Sequence, residues 1–205
     1  GLPGDYDEWE AKGATGWGWQ GMLPYFRKLE RDQDFDGDLH GKTGPMPIRR
    51  VFPKDWAGFT SSVMAVMEGE FPYQPDYNAS FSDGCFPLPL TNENDRRVST
   101  AVGYLTRAVR ARKNLHLFPL TQVEALERDG TRITGVRAHR EGRPAEIFRA
   151  HEVILCAGAL HTPPILLRAG IGPAAELRAL GIPVVADLPG VGRNLMDHPH
   201  LAVGA

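Results

Sequence analysis

Apolar residues recur at helical spacing in the first hundred residues of the chain. Phe59, Val63 and Val66 stand four and three positions apart, which is the spacing that places side chains on one face of an α-helix. Glycine- and proline-rich stretches separate such segments, so the pattern predicts short helices joined by loops. The predicted helices cover residues 5–12, 22–30 and 57–70, with Pro24 in the first turn of the second helix.

The pattern changes after residue 98. Ser99 and Thr100 precede an apolar face formed by Val102, Leu105 and Val109, which predicts a helix whose basic end suits the helix dipole. Short alternating runs separated by turn signals then predict a small antiparallel meander. Its strands are predicted over residues 115–120, 123–126, 133–138 and 147–150.

An apolar run over residues 151–158 ends in the small residues Cys156, Ala157 and Gly158. This pattern is typical of a buried strand that runs into a tight turn, and Cys156 is expected to be a buried apolar residue. A helix after Thr162 and Pro163, a helix over residues 173–180 and a strand over residues 184–186 are predicted next. The predicted fold class is therefore α+β, a mixture of helices and strands.

The charge balance excludes several classes of partner. The 205 residues include 23 Lys and Arg against 25 Asp and Glu, so neither nucleic acid nor an anionic membrane surface is expected to bind. No apolar run approaches the roughly 18 residues that span a bilayer, and we expect no membrane span. The two cysteines stand far apart and outside any C-x-x-C spacing, which favours a reducing compartment and a cytoplasmic protein.

The first residues of the chain are turn-forming residues, Gly1-Leu2-Pro3-Gly4, without an initiator Met. We therefore expect the chain to be cut from a longer polypeptide, whose missing N- and C-terminal segments would be its partners. Uncovered sheet edges and apolar faces would then favour self-association.

Ala157 and Gly158 are the first candidate functional residues. Small residues at the carboxyl end of a strand let the backbone approach a flat or phosphorylated ligand. A tight strand-to-helix turn needs the same small residues, so both interpretations stay open. The segment from Gly158 to Pro173 then places one short apolar helix between two glycine turns, a rigid geometry that costs backbone entropy unless a fixed position is required.

An aromatic group near the N-terminus is compatible with a sugar- or aryl-binding platform. Packing beneath the early loops is the favoured interpretation, because aromatic side chains are major contributors to protein cores. The group consists of Trp9, Trp17, Trp19, Tyr25 and Phe26.

The segment from Gly158 to Pro173 resembles the second signature of the glucose-methanol-choline (GMC) oxidoreductases, Gly-Ala-x-x-Ser/Thr-Pro-x-Leu-Leu-x-x-Ser-Gly-Ile-Gly-Pro. Ala169 stands where the signature has Ser, and the proline is doubled, but the frame is unchanged. Other phrases similar to those of the family follow its order over nearly the whole chain. They are Asp5-Tyr6-Asp7-x-Trp9, Gly16-Trp17-Gly18-Trp19, Leu23-Pro24-Tyr25-Phe26, His40-Gly41-x-x-Gly44-Pro45, Asp76-Tyr77-Asn78, Arg97-Val98-Ser99-Thr100-Ala101, Asn114-Leu115, Leu180-Gly181-Ile182-Pro183-Val184, Asp187-Leu188-Pro189-Gly190-Val191-Gly192 and Asn194-Leu195-x-Asp197-His198-Pro199.

The resemblance implies FAD bound to a Rossmann-type domain. It implies a backbone contact from Val123 to the adenosine half of the cofactor, with Ala157 and Gly158 near the same half, and it places Asn194 and His198 near the flavin. The alternatives are that Val123 is a core residue and that the Asn-x-x-Asp-His turn bonds to its own loop backbone.

The resemblance also implies a division of the chain. Residues 1–97 would lie on the substrate or cap side, residues 98–172 would form part of the FAD-binding domain, and residues 173–205 would return toward the flavin. The implied function is that of a fragment of an FAD-dependent oxidoreductase that takes hydride from the CH–OH group of a small-molecule alcohol. The alternative is a stand-alone, non-catalytic binding or interaction module derived from the fold.

Several chemical features are not expected in this chain. No G-x-G-x-x-G both follows a strand and precedes a helix, and the resemblance places the catalytic His downstream, so no catalytic residue is assigned and the isolated chain should be inactive and free of flavin. Choline-oxidising members carry Glu after Asp-His-Pro, whereas this chain has His200, which argues against choline. No metal is expected at residues 197–200, because Pro199 separates the two imidazoles and no second ligand cluster is found.

Overall fold

The computed structural model describes residues 2–197 of the 205-residue chain. The chain divides into two compact units, unit 1 before and unit 2 after the His116–Leu117 bond. Both units combine helices and strands, so the predicted α+β class is confirmed. The functional division at residues 97 and 172 stays a prediction. No helix in the described part of the chain has the length and apolar character needed to cross a bilayer.

Unit 1 contains short helices and two small sheets. Its helices are α1 (Pro3–Ala11), α2 (Trp19–Leu29), α3 (Gly58–Met67), α4 (Thr100–Gly103) and α5 (Arg107–Arg110), with a 3₁₀ turn at Pro53–Asp55. Its strands are β1 (Glu30–Asp32), β2 (Met46–Ile48), β3 (Asn92–Glu93) and β4 (Arg96–Arg97). Strands β1 and β2 pair in parallel, whereas β3 and β4 form an antiparallel hairpin.

Helices α1 and α2 pack against each other. Pro3 occupies the start of α1, where its missing N–H costs no hydrogen bond. Helix α2 begins three residues before the predicted start, because the Trp19 N–H donates to Asp7 Oδ1 of α1 at 2.9 Å. Pro24 therefore lies inside the helix and not in its first turn.

Helix α3 forms where the apolar spacing predicted it. Its apolar face is not covered within unit 1, because Phe59 is 59% exposed and Val66 is 78% exposed. The helix predicted after Ser99 is instead two short helices, α4 and α5. The Thr106 side chain accepts a hydrogen bond from the Val109 N–H at 3.3 Å and so begins a new helix.

Unit 2 is built around a meander followed by helices. Its elements are β5 (Thr121–Asp129), β6 (Arg132–Arg140), β7 (Glu146–Arg149), α6 (Gly158–Arg168), β8 (Ile171–Gly172), α7 (Ala174–Ala179) and β9 (Ala186–Asp187). The order β5-β6-β7 is antiparallel throughout, which confirms the predicted meander. The strand predicted over residues 115–120 does not form, and Leu120 has φ +53 and is 88% exposed.

Residues 151–156 form no strand, so the prediction of a buried strand there is wrong for this structure. Ile154 is 76% exposed and Cys156 is also exposed, against the expectation of a buried thiol. The apolar run has no neighbouring strand to pair with among the described residues, and a strand that is apolar on both faces is stable only inside a sheet that is covered on both sides.

The end of unit 2 is held by a short parallel pair, β8 with β9. Leu177 of α7 is fully buried, and the Ala174 N–H donates to Asp187 Oδ1 at 3.0 Å. Helix α7 agrees with the prediction, while α6 begins five residues before Pro163. Helix α6 thus starts at the Ala157–Gly158 turn.

Candidate functional site

The Ala157–Gly158 turn is exposed and open at the start of α6. Gly158 has φ +77, and a Cβ atom built on it would meet no atom within 4 Å. Ala157 is the N-cap residue and supplies no side-chain hydrogen bond. The N–H groups of the first helical turn and the positive end of the helix dipole are therefore accessible to a ligand.

Val123 is half-buried on β5, opposite Ala138. Strand β5 is at the edge of the three-stranded sheet, so alternate residues present main-chain N–H and C=O groups away from β6. The register shifts between Val123 and Ala125. Helix α6 packs against β5, so the structure brings the strand that carries Val123 to the helix that begins at Gly158.

Asn194 lies in an exposed, irregular segment after the glycine-rich loop, with φ +55. The loop passes over α6, since a Cβ atom at Gly192 would lie 3.8 Å from Pro163 and 3.9 Å from Leu167. His198 lies outside the described residues, as does the rest of the segment from 198 to 205. Val123, Ala157, Gly158 and Asn194 thus all belong to unit 2.

The second glycine turn, at residues 170–173, is closed by packing. A Cβ atom at Gly170 would collide with the Pro183 carbonyl oxygen, and one at Gly172 would collide with the Leu167 side chain. This turn lets the chain pass close to its own neighbours and offers no surface to a ligand. Of the two turns, only the one at Ala157–Gly158 is open.

The glycines at positions 16, 18 and 21 have the G-x-G-x-x-G spacing and lie around the start of α2, but they follow α1 and not a strand. Carboxylates of α1 already occupy this helix start. The Gly16 N–H donates to Glu10 Oε1 and the Trp19 N–H to Asp7 Oδ1, both at 2.9 Å. Two carboxylates would repel a pyrophosphate, so this is not a phosphate cradle.

A buried group of charged side chains lies in unit 1 and was not singled out from the sequence. We call it the charge cluster; its members are Glu30, Asp32, His40, Arg50 and Asp76. Arg50 Nη1 donates to both oxygens of Asp32 at 2.9 and 2.7 Å, and Nη2 donates to Asp76 Oδ1 at 3.1 Å. His40 Nε2 lies 2.8 Å from Asp76 Oδ2, and Nδ1 lies 3.2 Å from both Glu30 Oε1 and Asp32 Oδ2.

The pKa values of the two carboxyl groups of β1 are shifted in opposite directions. Burial raises the pKa of Glu30 above its ordinary value, and the contact with His40 offsets only part of this effect. Burial acts on Asp32 in the same direction, but hydrogen bonds from the Phe35 N–H and from Arg50 hold the pKa of Asp32 below its ordinary value. The surroundings of Asp32 therefore favour its charged form, whereas burial disfavours the charged form of Glu30.

The charge cluster has some features of a metal site. Glu30, Asp32 and His40 place three ligand atoms within 4.8 Å of one another. Both oxygens of Asp32 already accept hydrogen bonds from Arg50, and a divalent cation would have to sit beside that guanidinium. We assign no metal to this cluster.

Glycines explain how His40 reaches its partners. A Cβ atom at Gly41 would collide with the Arg27 carbonyl oxygen, and one at Gly44 would collide with the Leu29 backbone. The loop therefore lies directly against the end of α2, and the Gly44 N–H donates to the Glu30 carbonyl oxygen at 2.8 Å. The phrases His40-Gly41-x-x-Gly44 and Asp76-Tyr77-Asn78, distant in sequence, meet in the cluster.

A cavity of about 360 Å³ lies in unit 1 and is lined mainly by apolar residues of α1, α2 and β2. Tyr6 packs on Phe26 and Trp19 with ring centroids 5.5 and 5.8 Å apart, and Phe81 packs on Trp19 at 5.5 Å. Glu30 and Asn78 are among its polar lining residues. We call it the aromatic cavity.

The remaining aromatic residues of the N-terminal group do not pack beneath loops. Trp9, Trp17 and Tyr25 are at least half exposed, so the expectation of a shared core is wrong for them. Of the five residues in this N-terminal group, only Trp19 and Phe26 line the aromatic cavity.

Comparison with known proteins identifies the family. The sequence model described as GMC oxidoreductase matches residues 1–200. The chain belongs to the GMC oxidoreductase family. The resemblance seen in the sequence phrases is thereby confirmed.

Curated and solved relatives of this GMC chain are considerably longer than it is. It is 53% identical to the 5-(hydroxymethyl)furfural oxidase of Methylovorus sp. (strain MP688) over 207 residues, which cover all of this chain and 39% of that protein. It is 38% identical to the oxygen-dependent choline dehydrogenase of Burkholderia cenocepacia (strain HI2424), with 95% of this chain and 34% of that protein covered. The crystal structure of pyridoxine 4-oxidase from Mesorbium loti matches with a TM-score of 0.84 and 31% identity over 92% of this chain and 37% of that one.

The GMC chain therefore spans less than two fifths of the length of these relatives. Sequence reasoning missed the charge cluster and the lining residues Tyr6, Glu30 and Phe81. The sequence did contain a signal for part of the charge cluster, since His40 and Asp76 stand in two of the phrases that resemble the family. The phrases did not show that the two residues touch.

Proposed function

We propose that this GMC chain is part of an FAD-dependent oxidoreductase that acts on the CH–OH group of a small alcohol. The observation that carries the proposal is the family match over residues 1–200 together with the open main chain at Ala157–Gly158. The names of the relatives support it, because they include a furfural oxidase, a choline dehydrogenase and an FAD-dependent oxidoreductase from Chaetomium thermophilum.

The cofactor in this proposal is FAD, and the residues of unit 2 fit its adenosine half. Bound flavin accepts a hydride at N5, which is the chemistry that the cofactor supplies. The main chain of Val123 would read the adenine edge from the outer side of β5. Ala157 and Gly158 would let the backbone of α6 approach the nucleotide without a side chain in between. Asn194 and His198 are proposed to lie nearer the flavin.

We propose a role for each of the three segments predicted from the sequence. Residues 1–97 would serve the substrate side, residues 98–172 the FAD-binding domain, and residues 173–205 the return toward the flavin. We assign the proton-abstracting base to no residue of this chain.

A neutral alcohol is the proposed substrate class. The name of the 53% identical relative refers to 5-(hydroxymethyl)furfural, a neutral molecule with a hydroxymethyl group. The sequence has His200 after Asp197-His198-Pro199, and an imidazole does not attract a quaternary ammonium as a carboxylate does. We therefore favour a neutral substrate over choline.

A cytoplasmic location is part of the proposal. Cys85 and Cys156 are both free thiols in the structure, and persistent free thiols fit a reducing compartment.

A chimera tests the proposed function. Residues 1–205 would replace the matched 207-residue segment of the 5-(hydroxymethyl)furfural oxidase. We expect the purified chimera to show the visible absorbance of bound flavin and to oxidise 5-(hydroxymethyl)furfural with kcat/KM within about tenfold of the parent enzyme. A folded chimera that holds no flavin would contradict the proposal.

Two glycine variants of the chimera test the site itself. Gly158→Ala and Gly181→Ala replace glycines with φ +77 and +70, and neither new Cβ would meet an atom within 4 Å. The backbone strain is therefore similar in both, on the order of 1 kcal/mol. We expect Gly158→Ala to weaken FAD binding about tenfold, because its methyl group stands where the nucleotide approaches. Gly181→Ala should keep the parental FAD content, and equal losses in both variants would refute the assignment of Gly158.

A further inference from the structure

The aromatic cavity of unit 1 has the size of a ligand site. Its volume of about 360 Å³ lies within the range of roughly 300–1,000 Å³ that small-molecule pockets occupy. Most of its wall is apolar, with a small number of polar groups that approach from Glu30, Asn78, Thr91 and Thr100. This composition, largely apolar with a few placed polar atoms, is typical of sites for small organic molecules.

The aromatic wall of the cavity is held in a fixed arrangement. Phe81 has φ +52, a conformation that is rare and strained for an aromatic residue. In this conformation its ring meets Trp19 edge to face, with an interplanar angle of 84°. Tyr6 also meets Phe26 edge to face, with an interplanar angle of 64°. Offset and edge-to-face contacts of this kind are the ones that a further aromatic ring can extend.

The polar wall of the cavity is anchored to the charge cluster. Glu30 Oε1 lies 3.2 Å from His40 Nδ1, and the Asn78 N–H donates to Asp76 Oδ1 at 3.1 Å. The carboxyl group of Glu30 and the backbone of Asn78 are thus held by buried partners. Burial raises the pKa of Glu30 above its ordinary value. The same desolvation disfavours an anionic ligand beside it, whereas the carboxyl group can hydrogen-bond a neutral hydroxyl group.

We infer that the aromatic cavity binds a small, neutral molecule that carries one aromatic ring and a hydroxyl or carbonyl oxygen. The ring lies against Trp19 and Phe81, and the oxygen faces Glu30 and Asn78. The inference concerns unit 1 alone and does not rest on the flavin site proposed for unit 2. A failure of nucleotide binding would therefore leave it intact.

A titration with benzyl alcohol tests the inference on the full 205-residue chain. The ¹³C-methyl signals of Leu23, Met46 and Ile48, which line the cavity, are followed by NMR. We expect saturable shifts at these methyl groups with a Kd on the order of 1 mM, as suits a ligand of this size. Cyclohexylmethanol should bind about fivefold more weakly, because it cannot form the ring contacts. Benzoate should give no saturable shift at the same methyl groups, because burying its unpaired negative charge in a mostly apolar cavity is costly.

Two tryptophan variants distinguish binding of benzyl alcohol in the cavity from binding at an exposed tryptophan. Trp19→Ala should weaken benzyl alcohol binding about tenfold by removing a ring of the wall. Trp17→Ala is the matched control, because Trp17 is 52% exposed and does not line the cavity; it should bind the probe as the parent chain does. If Trp19→Ala fails to fold, as judged by its NMR spectrum, Phe81→Ala carries the same test.

Three results would overturn the inference. They are the absence of saturable shifts at the cavity methyl groups, equal weakening by Trp17→Ala and by the cavity variant, and loss of self-association in Trp19→Ala, measured by sedimentation velocity against the parent chain. In the last case the cavity is part of a contact between copies and not a ligand site.

Discussion

Arg50 is the cation on which the buried carboxylates of unit 1 depend. Its side chain is completely buried and serves Asp32 and Asp76 at once. It also stacks over the Phe35 ring, 4.7 Å from the centroid. Removing one partner of a buried ion pair is costly, because the other charges stay buried without compensation.

Replacement of this arginine should destabilise the protein strongly. We expect Arg50→Met to lower the free energy of unfolding by about 3–5 kcal/mol, measured by urea denaturation. Arg31→Met is the matched control, because the Arg31–Glu93 pair is more than one third exposed on both sides; it should cost no more than about 1 kcal/mol. Similar losses in the two variants would show that the charge cluster is no more important than a surface pair.

Glu30 should make stability depend on pH in a specific direction. Its pKa is raised in the folded state, so its contribution to stability is present below the unfolded pKa and is lost as pH rises through the higher folded pKa. Asp32 has the opposite sign, because its pKa is lowered and its contribution is lost as pH falls through the folded value. The two groups act in opposite directions within the acidic range.

The variant Glu30→Gln isolates the first of these contributions. Glutamine keeps the shape and an accepting oxygen but cannot ionise. The free energy of unfolding of the variant relative to the parent should therefore rise as pH increases from 4.5, the ordinary pKa of a Glu carboxyl, through the higher folded pKa. Asp32 is present in both proteins, so its contribution largely cancels in the difference. Denaturation curves at several pH values measure it, and a difference that stays flat or falls across that range would contradict the assignment.

At the scale of elements, the sequence pattern correctly predicted the helices and strands that depend on neighbouring residues along the chain. Helix α3 and the β5-β6-β7 meander formed as expected, because apolar spacing and the turn at Gly130, with φ +57, are short-range signals. The single helix expected after Ser99 failed for a local reason as well. The Thr106 side chain caps a second helix. A threonine within an apolar pattern does not by itself predict that a new helix begins there.

Elements that need distant partners were predicted less well. Residues 151–156 have the composition of a buried strand, yet Ile154 is 76% exposed and no strand forms, because strand formation depends on neighbours that sequence periodicity does not reveal. The candidate functional residues show the same difference between features set by local sequence and features set by distant contacts. The open turn at Ala157–Gly158 was foreseen from small residues alone, whereas the contact between His40 and Asp76 joins positions 36 residues apart.

At the scale of the whole molecule, uncovered apolar surface accompanies a chain that spans less than two fifths of its relatives. Val66 is 78% exposed, Ile154 76% and Leu120 88%. Exposed apolar patches of this kind mark surfaces that bind other protein or cause association. A stand-alone module would be expected to avoid them.

We therefore expect the purified chain to self-associate, and helix α3 offers a controlled test. Val66→Lys places a charge on the apolar face of α3, and Ser61→Lys places the same charge on the opposite face, because residues five apart on a helix point in widely different directions. Sedimentation velocity should show that Val66→Lys raises the monomer fraction several-fold, whereas Ser61→Lys should leave it unchanged. A parent chain that stays monomeric at high concentration would instead favour the stand-alone binding module, since the apolar face of α3 would then be tolerated in water without a partner.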